Sequence, residues 1–277
     1  MFLDLGTHRF DITHRALVMG ILNRTPDSFF DAGEYWSFDD FLRKAEGLVD
    51  DGADFLDVGG VKAGPGDEVT LDEELERVIP AIAALRERFD VPISVDTWRA
   101  DVLGPAIEAG ADIGNDISGF ADPKYLPVAA AGSASVVATH IRLAPRVPDP
   151  EPIYDDLLAD VRSFLADRAA RALEAGVPRE RIVIDAGLDL GKTRRMSWEL
   201  LHRSEALVDL GYPLLLSASN KRFLFELLET ERHDIASGTT AAHAIGIAKG
   251  CRIIRAHDVQ AGRRVADMMA DILAVRS

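Results

Sequence analysis

The sequence predicts an α/β protein, a single (β/α)8 TIM barrel running through residues 1–277. Three observations carry that expectation. Short apolar runs alternate with longer amphipathic stretches about eight times along the chain, the pattern of repeated βα units. Several helical stretches end in a small residue and glycine, a C-cap that leads into the next apolar run. Polar residues stand at or just beyond the C-terminal ends of the runs: Asn23, Asp57, Asp96, Asn115, His140, Asp185, Ser217 and Arg255. A barrel binds ligands at that rim, whereas an open sheet would crowd such residues around its switch point.

In chain order, the run 16–22 predicts the first barrel strand, and it leads straight into an amide, a hydroxyl and a carboxylate (Asn23, Thr25, Asp27). A helix over 38–51 follows, closed by Asp51-Gly52-Ala53, and then a strand over 54–58. Helix 71–89 leads to strand 92–96, and helix 99–109, closed by Ala109-Gly110-Ala111, leads to strand 112–115. Helix 122–131 precedes strand 134–139. The proline-rich piece Pro145–Pro152 reads as a surface loop ahead of a long helix over 154–175. In that helix Leu157, Leu158, Val161, Phe164, Leu165 and Leu173 recur on one face. Strand 182–185, helix 195–210 and strand 213–216 come next. Helical sequence over 221–249, broken near 231–237, precedes strand 252–255, and helix 259–275 ends the repeat.

Composition narrows the function. Hydrophobic residues make up 47%, enough for a large core, and no apolar run approaches the ~20 residues of a membrane span. Asp4, His8, Arg9, Asp11 and Arg15 interrupt any apolar leader, so a soluble cytoplasmic protein is expected. A formal charge of −15 argues against nucleic-acid binding, although a few cations focused in one cleft still suit a small anion. Cys251 is the sole cysteine, which rules out an internal disulfide and a CxxC pair, and it is expected in the core.

The segment Met19-Gly20-Ile21-Leu22-Asn23-Arg24-Thr25-Pro26-Asp27-Ser28-Phe29 resembles the first signature of dihydropteroate synthases, pterin-binding enzymes of folate synthesis. The likeness continues in Asp57-Val58-Gly59-Gly60, Ser94-Val95-Asp96-Thr97, Asn115-Asp116-Ile117-Ser118-Gly119, Asp185-Ala186-Gly187 and Gly191-Lys192-Thr193. It returns in Ser219-Asn220-Lys221-Arg222-Phe223, Gly238-Thr239-Thr240-Ala241 and Arg255-Ala256-His257-Asp258-Val259. The resemblance implies a pterin site of Asp96, Asn115, Asp185 and Lys221. A carboxylate can accept two parallel bonds from the pterin's N–H edge, and an amide can both donate and accept beside it. It further implies that Asn23 meets Mg2+ and diphosphate, that Arg255 and His257 form the anion pocket, and that the last helices join two copies as a homodimer.

The departures from the family cluster in the loops. Val61-Lys62-Ala63-Gly64-Pro65-Gly66 stands where the family reads Glu-Ser-Thr-Arg-Pro-Gly. Arg24 replaces a small apolar residue, Asn220 replaces an arginine, Leu190 replaces an aromatic, and Met196-Ser197-Trp198 replaces a His-Asn pair. Loss of an oriented charged donor commonly costs ~10²–10³ in rate. The departures therefore predict a homologue with weak or absent synthase activity that keeps part of a pterin pocket. Two other readings stand beside it. One is a working synthase in which Arg24 and Lys62 restore the lost charge, although Arg24 could equally obstruct the diphosphate. The other is a different transferase or a ligand-responsive pterin-binding protein, with 4-aminobenzoate mimics as further candidate ligands. Gly187–Thr193 imitates a phosphate loop but is one residue short between its glycines, so nucleotide hydrolysis is not expected.

Overall fold

The structure is a computed structural model in which residues 1–25, 38–64, 66–224 and 235–275 are described. An antiparallel hairpin comes first, β1 (Phe2–Leu5) against β2 (His8–Asp11). The barrel starts with β3 (Leu17–Asn23), α1 (Phe38–Asp50), β4 (Phe55–Gly59), α2 (Leu71–Arg88), β5 (Ile93–Asp96), α3 (Ala100–Glu108) and β6 (Ile113–Asp116). It continues with α4 (Tyr125–Ala131), β7 (Ser135–Thr139), α5 (Leu157–Glu174), β8 (Ile182–Asp185), α6 (Arg194–His202) and α7 (Glu205–Val208). Then come β9 (Leu214–Leu216), α8 (Ala236–Ala248), β10 (Ile253–Ala256) and α9 (Val259–Ala274). Strands β3 to β10 are parallel and close on themselves, with Ile253 of β10 opposite Leu17 of β3. The fold is a (β/α)8 TIM barrel, and each strand read from the sequence lies within one residue of its observed bounds.

Alternation along the strands divides the core in two. Val18 and Leu22 face outward, with Leu56, Val58, Val95, Val136 and Ile184, onto Phe41, Ile82, Leu85, Val161 and Leu165 of the helices. Leu17, Met19, Phe55, Ile113, Val137, Val183, Leu215 and Ile253 face inward and fill the barrel. Leu3, Leu5 and Ile12 join this inner cluster, so the hairpin plugs the end of the barrel where the strands begin. Ser135 Oγ donates to the Asp4 carbonyl at 2.7 Å and the Arg181 guanidinium to the Gly6 carbonyl at 3.0 Å, fixing the plug to the starts of β7 and β8. The hairpin has no counterpart in the sequence reading, because its four-residue strands show no apolar run.

Two helices differ from expectation for local reasons. The stretch 195–210 splits into α6 and α7, where the buried Ser204 hydroxyl donates to the Leu200 and Leu201 carbonyls and competes with the helix ladder. Helix 122–131 begins only at Tyr125, because the Asp122 carboxylate is engaged by the backbone N–H groups of Ala100 and Lys124. Of the helical stretch 221–249, residues 225–234 lie outside the described residues. Cys251 is fully buried, as expected. Among the described residues no helix is long and apolar enough to cross a membrane.

The plug makes a stability prediction. Leu5→Ala empties a fully packed position at the closed end and should cost about 2–5 kcal/mol, read as a lower urea midpoint. Ligand binding by the folded fraction should be unaffected, since the site described next lies at the opposite end.

Candidate active site

The centre of the open end is Asp57, which is completely buried on β4. Ser94 Oγ on β5 donates to its Oδ1 at 2.7 Å, and Asn115 Nδ2 on β6 lies 3.3 Å from both carboxylate oxygens. The Arg255 guanidinium on β10 donates to its Oδ2 at 2.7 Å and reaches Asp96 Oδ2 on β5 at 3.1 Å. Four strands thus meet in one polar network. Burial, with the Asp57 carboxylate nearby and Arg255 opposing, raises the Asp96 pKa to about 7. The adjacent Asp116 has a structural task instead. Its carboxylate accepts from Ser118 N at 2.6 Å and Phe120 N at 2.9 Å, shaping the turn after β6.

Asp185 ends β8, where Gly187 N donates to its Oδ1 at 2.8 Å and sets the carboxylate's orientation. Gly187 has φ +64°, and a Cβ there would stand 2.0 Å from the His140 carbonyl oxygen, so only glycine makes this turn. Burial raises the Asp185 pKa, against the pull of that N–H and of Lys221 and Lys192. Lys221 donates to the Leu188 carbonyl at 3.2 Å, and burial lowers its pKa against the opposing charges of Asp189 and Asp185.

Lys192 has no place in the sequence-derived site, yet it is buried beside it. Its ammonium contacts His140 Nδ1 at 2.9 Å and the carbonyls of Gly187 and Leu190, each at 2.9 Å. Burial lowers its pKa to about 7. Burial, with Lys192 adding to it, pulls His140 down to about 3, so that ring is neutral and packs edge-on against Phe164. A lysine that ties its own loop together in this way does not cradle phosphates. Asp57 and Lys192 are the two site groups the residue-by-residue reading passed over. Their signal was present as letters within shared motifs, but only the fold shows where they converge.

The residues assigned to diphosphate divide. Arg255 turns to the carboxylates, whereas His257 Nδ1 lies 2.9 Å from Ser219 Oγ, which also accepts the His257 backbone N–H at 3.2 Å. A serine accepting that bond can still donate its proton to Nδ1, and a neutral ring then carries its own proton on Nε2, a donor for an anion. A Cβ on Gly59 would stand 3.3 Å from Asn23 Oδ1 and 3.5 Å from Asp96 Cβ, so the glycine keeps space between those side chains. Among the described residues no three His, Cys, Asp or Glu side chains converge as a metal set. Asn23 offers one neutral oxygen, which fits a Mg2+ held mainly by diphosphate oxygens and water.

The altered loops are arranged differently from what their letters suggested. The Arg24 guanidinium lies over the rings of Phe38 and Phe41 on α1, at 4.9 and 5.3 Å, and its backbone N–H donates to the Gly59 carbonyl at 2.7 Å. Attraction between the cation and the ring faces places it on the helix. Asn220 has φ +53°, a conformation asparagine tolerates better than most residues, and its N–H donates to Thr239 Oγ1 at 3.2 Å. Lys62 lines a cavity of about 380 Å³ with Thr25, Gly60, Arg77 and Arg146. Pro26, Asp27, Ser28 and Phe29 of the first signature lie outside the described residues, as does Pro65.

Comparison with known proteins bears directly on this site. A family model described as a pterin binding enzyme matches residues 19–257. A dihydropteroate synthase of Bacillus subtilis is 44% identical over 94% of this chain and 89% of its own length. One from Synechocystis is 41% identical over 98% of this chain and 94% of its own. Among solved structures, the Yersinia pestis dihydropteroate synthase with a sulfonamide drug complex superimposes with a TM-score of 0.93 at 34% identity, covering 99% of this chain and all of that one. The Xanthomonas albilineans enzyme in complex with 7,8-dihydropteroate gives 0.87 at 34% identity, over 100% and 99% of the two chains. These relatives overturn the expectation of weak or absent synthase activity, because chains this similar over nearly their whole length are named as synthases. Changed loop letters counted too heavily in that reading: the Arg24 guanidinium packs on the rings of α1, and Asp57, Asp96, Asn115 and Arg255 are joined at the barrel mouth. From the barrel, its rim and these relatives, the chain belongs to the dihydropteroate synthase family of pterin-binding enzymes.

Proposed function

We propose that this protein is a working dihydropteroate synthase, a transferase that joins a 6-hydroxymethyl-dihydropterin diphosphate to 4-aminobenzoate. The observation that carries the reading is the Asp57–Arg255–Asp96 network with Asn115, set beside Asp185 and Lys221 on a chain so similar to named synthases. In this reading the Asp185 carboxylate accepts the pterin's amino and N3 protons, Asn115 spans the neighbouring edge, Asp96 accepts a ring N–H and Lys221 donates to the carbonyl. Held in that plane, the exocyclic methylene points toward the anion-binding side.

There the carbon–oxygen bond breaks and its electron pair leaves with diphosphate. The amine of 4-aminobenzoate forms the new carbon–nitrogen bond and loses one proton. His257 Nε2–H would donate to the departing anion, Arg255 lends positive charge from its place on Asp57 and Asp96, and Asn23 would hold a Mg2+ that neutralises part of the diphosphate charge. Donors already fixed by hydrogen bonds need little reorganisation as that charge develops. Ile245, Met268 and Ile272 stand 47, 54 and 44% exposed on α8 and α9, an apolar face that suits a second copy of the chain.

The purified protein with Mg2+, the pterin diphosphate and 4-aminobenzoate should release diphosphate and form 7,8-dihydropteroate with saturation in both substrates; absence of turnover would sink the proposal. Asp185→Asn should weaken pterin binding by roughly 10- to 100-fold, the worth of a charged hydrogen bond, measured by titration calorimetry. An ionised Asp96 accepts a ring N–H more strongly than a protonated one, and burial raises its pKa to about 7. Pterin binding should therefore release a proton below that pH, and affinity should rise with pH up to about 7 and level off above it. Asp96→Asn should bind more weakly and flatten the profile; a pH-independent wild type would refute the assignment. Finally, Met268→Glu with Ile272→Glu should halve the mass seen by light scattering, whereas an unchanged mass would remove this face as the dimer contact.

A further inference from the structure

We propose that Arg146, in the loop after β7, is a positioning residue for this reaction. It clamps the loop after β4 and sets one wall of the cavity between that loop and the segments after β8 and β9, where we place the second substrate. The inference rests on the synthase reading above. The clamped loop carries Ala63 and Gly64 where the family carries a threonine and an arginine, so it brings neither side-chain donor there itself. Arg146 does not replace those donors; it holds the loop by its carbonyls from outside. Its backbone N–H donates to the Ala63 carbonyl at 3.3 Å, one guanidinium nitrogen to the Lys62 carbonyl at 3.2 Å, and the other to the Asp67 carbonyl. Three bonds thus bracket residues 62–67 from a point some eighty positions away in sequence.

The clamp is itself held rigidly. Arg142 grips Asp149 with both arms of its fork, Nε to Oδ2 at 2.6 Å and a terminal nitrogen to Oδ1 at 2.5 Å, closing the base of the loop that carries Arg146. Arg146 has φ +67°, a left-handed conformation that a non-glycine residue keeps only where its surroundings fix it. A Cβ at Gly66 would lie 3.2 Å from the guanidinium, so the clamped loop has no side chain where the clamp approaches. At its start the same loop is tied by Arg77, which donates to the Gly60 carbonyl at 3.0 Å.

The placement has a functional side. Arg146 separates the cavity lined by Thr25 and Lys62 from a second of about 260 Å³. The second lies between Ala63 and Gly64 on one side and Asp189, Leu190 and Arg222 on the other. Leu190 closes the turn after Asp185, its N–H donating to the Gly187 carbonyl at 3.0 Å, and Arg222 follows Lys221 in the chain, so the position of the clamped loop would set the width of the space beside the pterin. A planar fork serves carbonyls spread from 62 to 67, and a single ammonium does not reach them together.

The test compares wild type, Arg146→Ala and Arg146→Lys by hydrogen exchange without ligand and by steady-state kinetics. In Arg146→Ala, exchange over residues 61–67 should rise roughly tenfold or more, the equivalent of about one charged hydrogen bond, with β4 and β5 unchanged. KM for 4-aminobenzoate should rise by a similar factor while kcat falls less than about threefold, because the chemistry at the pterin is untouched. Arg146→Lys should recover only part of both effects. Unchanged exchange in Arg146→Ala overturns the clamp. Faster exchange with an unchanged KM overturns the positioning role and leaves a surface staple. A wild type without turnover defeats the synthase reading and the positioning role with it, while exchange alone still decides whether Arg146 holds the loop.

Discussion

The site depends on one buried carboxylate. Asp57 has no contact with water, and an isolated charge there would be severely destabilising. It is tolerated because Ser94, Asn115 and Arg255 converge on it from three other strands. Those bonds fix the rotamers of the side chains at the barrel mouth. Burial, only partly offset by an Arg255 that is shared with Asp57, raises the Asp96 pKa to about 7. Replacing Asp57 would therefore disturb Asn115, Arg255 and Asp96 together, even though Asp57 itself lies beneath them.

The barrel separates stability from chemistry along its axis. At one end the hairpin drives Leu3, Leu5 and Ile12 into the interior, where Met19, Phe55 and Ile253 complete an apolar plug. At the other end the same strands finish in Asn, Asp and Arg. Neighbouring positions on one strand thus serve opposite needs: Ile253 seals the interior and Arg255, two residues on and facing the same way, carries the charge. Loops can then vary above a floor whose polar bonds are already satisfied, which is why altered letters after β3 and β4 coexist with an intact network.

Lys192 shows how far a local pattern can mislead. Glycine, lysine and threonine after a strand suggest a phosphate loop, but the ammonium is drawn inward among carbonyls and a neutral imidazole. It braces the turn that carries Asp185 instead of presenting a charge to solvent. The loop after β4 is the converse case. Its own letters lack the family's threonine and arginine, and its carbonyls are held by Arg146 from a distant segment.

The sequence by itself determined the eightfold repeat of strands and helices and set Asn23, Asp96, Asn115, Asp185, Lys221, Arg255 and His257 at or near the C-terminal ends of its strands. Those are properties of periodicity and of motifs that sit at strand ends, and both survive when the chain is read one residue at a time. Only the tertiary structure decided that Asp57 is the shared anchor, that Arg255 and His257 face different partners, that Arg24 rests on the rings of α1, and that Arg146 grips the second loop. Each depends on a contact between residues far apart in the chain, and the direction of a long side chain follows from which charge, ring or carbonyl the fold brings within its reach.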